Sequence, residues 1–470
     1  MKLKNQFLSL SALLAMGMAT TSAWGACTAA DRYTTGSLSG NPQTGYYVNM
    51  PTPVTTNICS KAVTTVNISE DVKTFKVYDD GGANSPFNDP KCGTITCSVN
   101  LILKAPDGYV LRVSGSLMSN PKNVDGGGNY AYLGVYDGDE ADESKVVRRK
   151  MGENHWVTAW TGNTMYLSFY SANFSGTNHD GLDLTVQVLK KNTDKSTAAI
   201  DVYDHGDGSS YSLAKINDIE SGDLTYLGSN NVNEIELGRE FTATVASTIV
   251  LPFRLPEGTT TNAKFYFLKR VAQKENERAW KATMEWIGEG VVPDVNTPYA
   301  VIPDNNGVQF HLGNGSASYE QGEIVMQYDA TGNWFFTGTY EYKAWPAGDP
   351  DLGLVYAFNG SVENDIPKGK FVRIGDGSTA APMRAYISKI NPSVRLNRPL
   401  AKGEVSSIED LPESIEAEFV DENEKPMAIG RLNTVTGAIK IDRWFDLKGR
   451  STNHKPTTKG AFFNKKGIAK

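Results

Sequence analysis

Val110-Leu111-Arg112-Val113-Ser114-Gly115-Ser116-Leu117 changes character at nearly every step. In an extended chain successive side chains point to opposite faces. Leu111, Val113 and Leu117 then share one face, and Arg112, Ser114 and Ser116 share the other. A helix would scatter the same residues around its axis. The segment therefore reads as a strand with one face turned to a core.

The same reading extends outward on both sides. Strand-like runs occupy 73–78, 95–105, 109–118, 130–136, 164–171 and 182–190. Turn residues separate them: Asp79-Asp80-Gly81-Gly82, Pro106-Asp107-Gly108, Gly126-Gly127-Gly128 and Asp137-Gly138. Short strands at this spacing predict an antiparallel β-sandwich over 70–190. Composition agrees across the whole chain. Glycine is abundant, at 45 residues, and Val, Thr and Ile fill short runs broken by Asn, Asp, Gly and Pro. Amphipathic helical stretches are nearly absent beyond residue 25. The expected fold class is all-β, with 470 residues sufficient for two or three domains.

Residues 1–25 read as a secretory signal peptide: Lys2 and Lys4, an apolar run over 7–18, then small residues around Ala23-Trp24-Gly25. Removing the two lysines moves the net charge from −7 to −9. A mildly acidic chain disfavours nucleic acid and anionic membranes. No later apolar run approaches the roughly 20 residues that span a bilayer, so no transmembrane segment is expected. The four cysteines, Cys27, Cys59, Cys92 and Cys97, lie in the first hundred residues. An even number in an exported chain points to disulfides. Three pairings are open, and Cys27–Cys59 with Cys92–Cys97 is preferred because Gly93-Thr94-Ile95-Thr96 makes a short loop. Zinc is the alternative, but no histidine stands at ligand spacing. A lipid anchor at Cys27 would need an aliphatic residue where Trp24 stands. Residues 26–69 read as a disulfide-tied lead-in.

Four segments in register within 70–190 resemble a CUB domain. They are Val77-Tyr78-Asp79-Asp80-Gly81-Gly82, Leu103-Lys104-Ala105-Pro106-Asp107-Gly108, the run Tyr130 to Gly138, and the run Thr161 to Ser171. The resemblance implies an extracellular sandwich that binds proteins or glycans, often through calcium. This chain has Met118-Ser119 and Ala131 where that family places its calcium carboxylates, so its calcium ligands are not matched and no cofactor is expected. The acidic loop Asp137, Asp139, Glu140, Asp142, Glu143 is a substitute cation site or a solvated turn.

A second β domain is expected over 197–400. Leu251-Pro252-Phe253, Thr297-Pro298-Tyr299 and Arg384-Ala385-Tyr386, in that order, resemble a β domain of surface proteins from gut and rumen anaerobes. Residues 402–431 read as an acidic, self-repelling linker. Over 402–425 they carry Glu404, Glu409, Asp410, Glu413, Glu416, Glu418, Asp421, Glu422 and Glu424 against Lys402 and Lys425. The tail, 432–470, resembles the C-terminal sorting domain of the type IX (Por) secretion pathway, through the run Trp444 to Arg450 and Lys459-Gly460-Ala461-Phe462-Phe463. Its marker residues are Asp446, Gly449, Arg450 and Gly460. The resemblance implies secretion machinery as a partner and a secreted or surface location.

Candidate ligand-binding residues are aromatic. If the run Trp334 to Tyr342 is one strand, Trp334, Phe336, Tyr340 and Tyr342 share a face that would stack on sugar rings or fill a core. Trp345, before Pro346-Ala347-Gly348-Asp349-Pro350, is expected exposed in a loop. Trp156 and Trp160 flank a turn of the first sandwich. Catalytic signatures are missing: His155, His179, His205, His311 and His454 stand apart, and neither Gly-x-Ser-x-Gly nor His-Glu-x-x-His occurs. The expectation is a secreted, non-catalytic protein that adheres to a polysaccharide or another surface protein. The alternatives are a hydrolase of plant polymers and a structural coat component.

Overall fold

The structure, a computed structural model, describes residues 33–40, 46–50, 63–78, 96–117, 130–140, 146–148, 156–172, 182–206, 208, 211–218, 232–274, 279–304, 306–359, 369–390, 408, 410–426, 430–432, 439–441, 444–446, 451–452, 462–464 and 467–469. The chain forms two compact units, 1–192 with 203–211 and 193–202 with 212–470. Among the described residues regular structure is strand, apart from one 3-10 turn at Thr193–Lys195. The fold is all-β.

The N-terminal unit is a two-layer sandwich. One layer runs Tyr33–Ser37, Val63–Asn67, Thr96–Lys104, Thr164–Ala172, Tyr130–Asp137 and Val146–Arg148. In the other, Leu182–Lys191 pairs on one edge with Tyr109–Leu117 and on the other with Thr74–Tyr78. Val157–Ala159 extends the first edge and Tyr46–Asn49 the second. Alternate residues fill the space between the layers: Leu101 and Leu103, Leu111 and Val113, Leu133 and Val135, Met165 and Leu167, and Leu184, Val186 and Val188. Each such aliphatic side chain contributes roughly 1.5–3 kcal/mol by leaving water.

Between strands of 70–190 the described pairings are antiparallel, as expected, and parallel pairing enters with strands from before residue 70. Tyr33–Ser37, Val63–Asn67 and Thr96–Lys104 run parallel, as do Tyr46–Asn49 and Thr74–Tyr78. These extra strands come from 26–69, which is therefore no lead-in. Val48, Met50, Val66 and Ile68 from it enter the common core. Their strands are too short and Thr-rich to show a period, and burial beside longer strands stabilises them. Of the cysteines, Cys27, Cys59 and Cys92 lie outside the described residues. Cys97 sits in the strand Thr96–Lys104, its side chain likewise outside them.

The C-terminal unit is built on a ten-stranded sheet, in the order Ser247–Val250, Pro298–Pro303, Ala263–Gln273, Trp280–Trp286, Ser414–Val420, Lys370–Arg373, Val355–Asn359, Arg384–Lys389, Trp334–Thr339 and Gln327–Tyr328. The sheet curls until its first strand meets its eighth. The Val250 N–H donates to the Met383 carbonyl at 3.3 Å, and the Thr248 hydroxyl to the Ala385 carbonyl at 2.6 Å. Inside the curl lie Tyr266, Leu268, Trp280, Met284, Trp334, Phe336, Tyr356, Phe371, Ile387 and Ile415. Outside it, Ile249, Phe265, Tyr299 and Val301 pack with Ile235, Leu237, Val308 and Phe310 from the strands Glu234–Leu237 and Val308–His311.

The expected linker is overturned by this sheet. Ser414–Val420 is one of its central strands, parallel to Trp280–Trp286 and antiparallel to Lys370–Arg373. A count of charges hid an alternation. Ile415 and Ala417 enter the core, while Glu416 and Glu418 point outward to Lys274 at 2.5 Å and Lys281 at 2.6 Å. Just beyond, Glu424 reaches Lys269 at 2.9 Å, and Lys269 also pairs with Glu285. Glu416, Glu418 and Glu424 thus meet lysines.

The tail forms short antiparallel pairs: Gly430–Leu432 with Ile439–Ile441, and Trp444–Asp446 with Phe462–Asn464. Asp446 lies in the latter pair, while Gly449, Arg450 and Gly460 are outside the described residues, as is the signal segment.

Ile415 is fully buried, so Ile415→Ala should destabilise the C-terminal unit by about 2–5 kcal/mol in urea unfolding. A detached linker would show no change. The Lys269 ammonium, by hydrogen bond and then by charge, holds the Glu424 carboxyl below its ordinary 4.5. A depressed carboxylate contributes stability above its unfolded value and loses it as pH falls through the folded one. The unfolding midpoint should therefore fall on acidification below about pH 4.5. Glu424→Gln should flatten that decline in low-salt thermal scans, and high salt should shrink the difference.

Candidate functional site

The strand Tyr109–Leu117 places Arg112 on the outer face of its sheet, opposite the core. There Thr158 of Val157–Ala159 and Gln187 of Leu182–Lys191 stand directly across from it. The period of two puts Trp156, Thr158 and Trp160 on that same face, because Val157 and Ala159 between them fill the core. A row of polar and aromatic groups thus crosses the outside of the sandwich.

Arg112 is 0 % exposed. A buried guanidinium needs partners. Its Nη1 donates to the Tyr211 hydroxyl at 2.6 Å, and its charge lies 4.5 Å from the centre of the Trp156 ring. Tyr211 in turn stacks on His205, with centroids 5.1 Å apart and planes 30° apart. The His205 Nδ1 lies 3.3 Å from the Val188 carbonyl. Trp160 packs at 5.1 Å on Tyr203. The loop after Trp160 hangs on Asp137, whose carboxylate accepts from the Trp160 N–H at 2.8 Å, the Thr161 N–H at 2.9 Å and the Thr161 hydroxyl at 2.8 Å. The two indoles stay half-buried, each with a ring fixed from beneath. Aromatic faces held this way bind by dispersion and by contact with C–H groups at little entropic cost.

The other sequence candidates are placed differently. Trp334 is 2 % exposed, inside the curled sheet against Trp280 and Tyr356 at 5.7 and 5.6 Å. The expected row of four breaks because the strand stops at Thr339. Tyr340 is half-buried, its hydroxyl 2.8 Å from both the Leu251 carbonyl and the Asn296 amide oxygen. Desolvation, and then Tyr319, push its phenol well above the ordinary value, against the Asn296 bond. Tyr342 is 45 % exposed. Trp345, expected in solvent, is 1 % exposed. The turn closed by the Asp349 N–H on the Pro346 carbonyl follows the short strand Lys343–Trp345, which lays the indole against Tyr386 at 5.3 Å beside Val355 and Ile374. Burial of these two rings removes them from any sugar platform.

Asp137 serves the loop at Trp160, while Asp139 and Glu140 are exposed and Asp142 and Glu143 lie outside the described residues. Among the described residues no cluster of three His, Cys, Asp or Glu side chains is arranged to hold a metal. Sequence reading missed the role of Arg112, Tyr203 and Tyr211. The available signal was an arginine at an alternating position in a strand otherwise fit for a core. It also set His311 aside as isolated. Strand pairing brings His311 Nδ1 to 3.3 Å from Glu234 Oε2, and Gln309 donates to Glu236 at 3.1 Å two rungs along.

No family model matches the chain, and no curated protein matches it. Among solved structures it is similar to the CUB1-EGF-CUB2 domains of rat MASP-1. The match covers 54 % of this chain and 96 % of that one, at 13 % identity and a TM-score of 0.20. The CUB1-EGF-CUB2 domain of human MASP-1/3 gives 53 %, 97 %, 12 % and 0.18. The full extracellular region of zebrafish Gpr126/Adgrg6 gives 55 %, 34 %, 14 % and 0.18. Likeness at these scores is weak, and the sandwich stands on its own strands and core. No helix among the described residues is long and apolar enough to cross a membrane.

Trp345→Ala is expected to lower the stability of the C-terminal unit by about 3–5 kcal/mol in urea unfolding, as a fully buried indole should. A solvent-exposed ring would give a change near zero.

Proposed function

We propose that this chain is an exported, non-catalytic binding protein that adheres to polysaccharide through the arginine-centred aromatic face of its N-terminal unit. One observation carries the reading. Trp156 and Trp160 stand on one face of the sheet, one on each side of Thr158, half-buried and braced by Arg112 and Tyr203. Sugar rings present C–H faces that complement such indoles, and their hydroxyls pair with polar neighbours such as His205 and Thr161. The leader at 1–25 and the tail resembling a type IX sorting domain support an extracellular place of work, the tail engaging secretion machinery. A rigid sandwich offering a preformed aromatic face favours recognition over turnover.

The test is retention of the full chain, less its leader, on insoluble cellulose, xylan and chitin. Trp156→Ala and Trp160→Ala should each weaken retention about tenfold or more, by analogy with single-base stacking on aromatic rings. Tyr342→Ala should leave it unchanged. Equal retention by all variants, or retention on none of the polymers, overturns the reading. Capture by a protein-coated surface that depends on the same two tryptophans would redirect it to another surface protein.

A further inference from the structure

Within the C-terminal unit, a recess of about 30 Å³ opens beside the aromatic core outside the curled sheet. Leu237, Phe241, Ile249 and Met383 supply apolar walls, and Arg239, Arg384 and Asp218 supply charge. The space is far below the roughly 300 Å³ of a site for a whole small molecule. It suits one small group.

Arg239 is the unusual member. It is half-buried. The charge lies 4.3 Å from the centre of the Phe241 ring, and Nη2 donates to the Ser247 hydroxyl. Among the described residues no carboxylate lies within ion-pair distance of it. Asp218, which lines the same recess, is engaged by Arg384, whose Nη2 lies 2.8 and 3.1 Å from its two oxygens. The recess thus holds two cations and one anion. An enclosed cation without a counter-charge is costly. Desolvation and then the like charge of Arg384 weaken the hold of Arg239 on its proton, and Asp218 partly offsets this.

A second observation points to the same place. Met383, beside Arg384, has a backbone φ of 60°, in the left-handed region that a side chain with a Cβ seldom adopts. Its N–H donates to the Thr339 carbonyl at 2.7 Å, and its carbonyl accepts from Val250 at 3.3 Å. Bonds from both neighbours hold the strain. Strained backbone maintained in this way concentrates at ligand sites.

We propose that Arg239 and Arg384 form a binding site for a single oxyanion group, a carboxylate or a sulfate, with Asp218 as the internal competitor that the anion displaces from Arg384. The planar forks of both arginines match the oxygens of such a group, and the apolar walls strengthen the attraction by excluding water. The site is independent of the aromatic face on the N-terminal unit.

The experiment is calorimetric titration of the full chain with sodium sulfate and, separately, sodium acetate, at ionic strength matched with chloride. Wild type should show saturable heat with at least one of the two. Arg239→Met should weaken binding by about tenfold or more, while Asp218→Asn, which removes the competitor, should tighten it by about tenfold. Thermal unfolding without added anion checks that both variants fold. Saturable binding that is unchanged in Arg239→Met, or weakened in Asp218→Asn, overturns the site. So does the absence of saturable heat with both salts. None of these results bears on the tryptophan-dependent retention, which is read on other residues.

Discussion

Most strands of this protein must satisfy two surroundings at once, and that constraint organises the rest. In Ala263–Gln273, Tyr266 and Leu268 face the interior of the curled sheet, while Phe265 and Phe267, alternating with them, face a separate core outside it. Pro298–Pro303 does the same with Ala300 inside and Tyr299 and Val301 outside. Such strands read as continuous apolar runs. Where the second face is polar and only partly open to water, its charged groups pair with neighbouring segments. The Glu416–Lys274 and Glu418–Lys281 pairs are that solution on one face of Ser414–Val420. On the outer face of the sandwich the buried Arg112 finds its partners in the Tyr211 hydroxyl and the Trp156 ring.

This explains which parts of the fold were legible. Six of the eight described strands between 74 and 191 were readable because they alternate and are bounded by Asp-Gly, Pro-Asp-Gly or poly-Gly turns, whereas the three-residue strands Val146–Arg148 and Val157–Ala159 are too short to show a period. The runs read at 109–118 and 182–190 match Tyr109–Leu117 and Leu182–Lys191 within a residue. The strands Tyr33–Ser37 and Val63–Asn67 were not readable. Their pairing is parallel and distant, and nothing in Val-Thr-Thr-Val-Asn alone sets a register. The strand Ser414–Val420 was hidden by composition. Nine carboxylates in a window look like repulsion until the lysines opposite them, over a hundred residues away, are known.

The candidate site divides in the same way. Trp156 and Trp160 stood out as large aromatics beside a turn, and the structure leaves both half-buried at one face. Trp345 stood out for the same reason, and the flanking Pro346 and Pro350 suggested a solvent loop. The turn instead folds the indole onto Tyr386 and beneath Lys343, whose Nζ lies 5.0 Å from its ring centre. A tryptophan's neighbours in sequence say little about which sheet face lies within reach. The contacts that brace the site, Arg112 with Tyr211 and Trp160 with Tyr203, span 99 and 43 residues, and no local pattern encodes them.

Arg112 and Arg239 show two ways of holding an enclosed guanidinium. Arg112 is walled by an indole and bonded to a phenol, in a layer closed by the stack of Tyr211 on His205. Its charge stiffens a face without opening a space, so it acts as a brace for the rings above it. Arg239 also rests on an aromatic ring, yet it borders an open recess together with Arg384. There the charge meets space rather than a second wall. A ring beneath a guanidinium fixes its plane in both cases, and what lies on the opposite side decides whether the arginine supports a surface or presents a site.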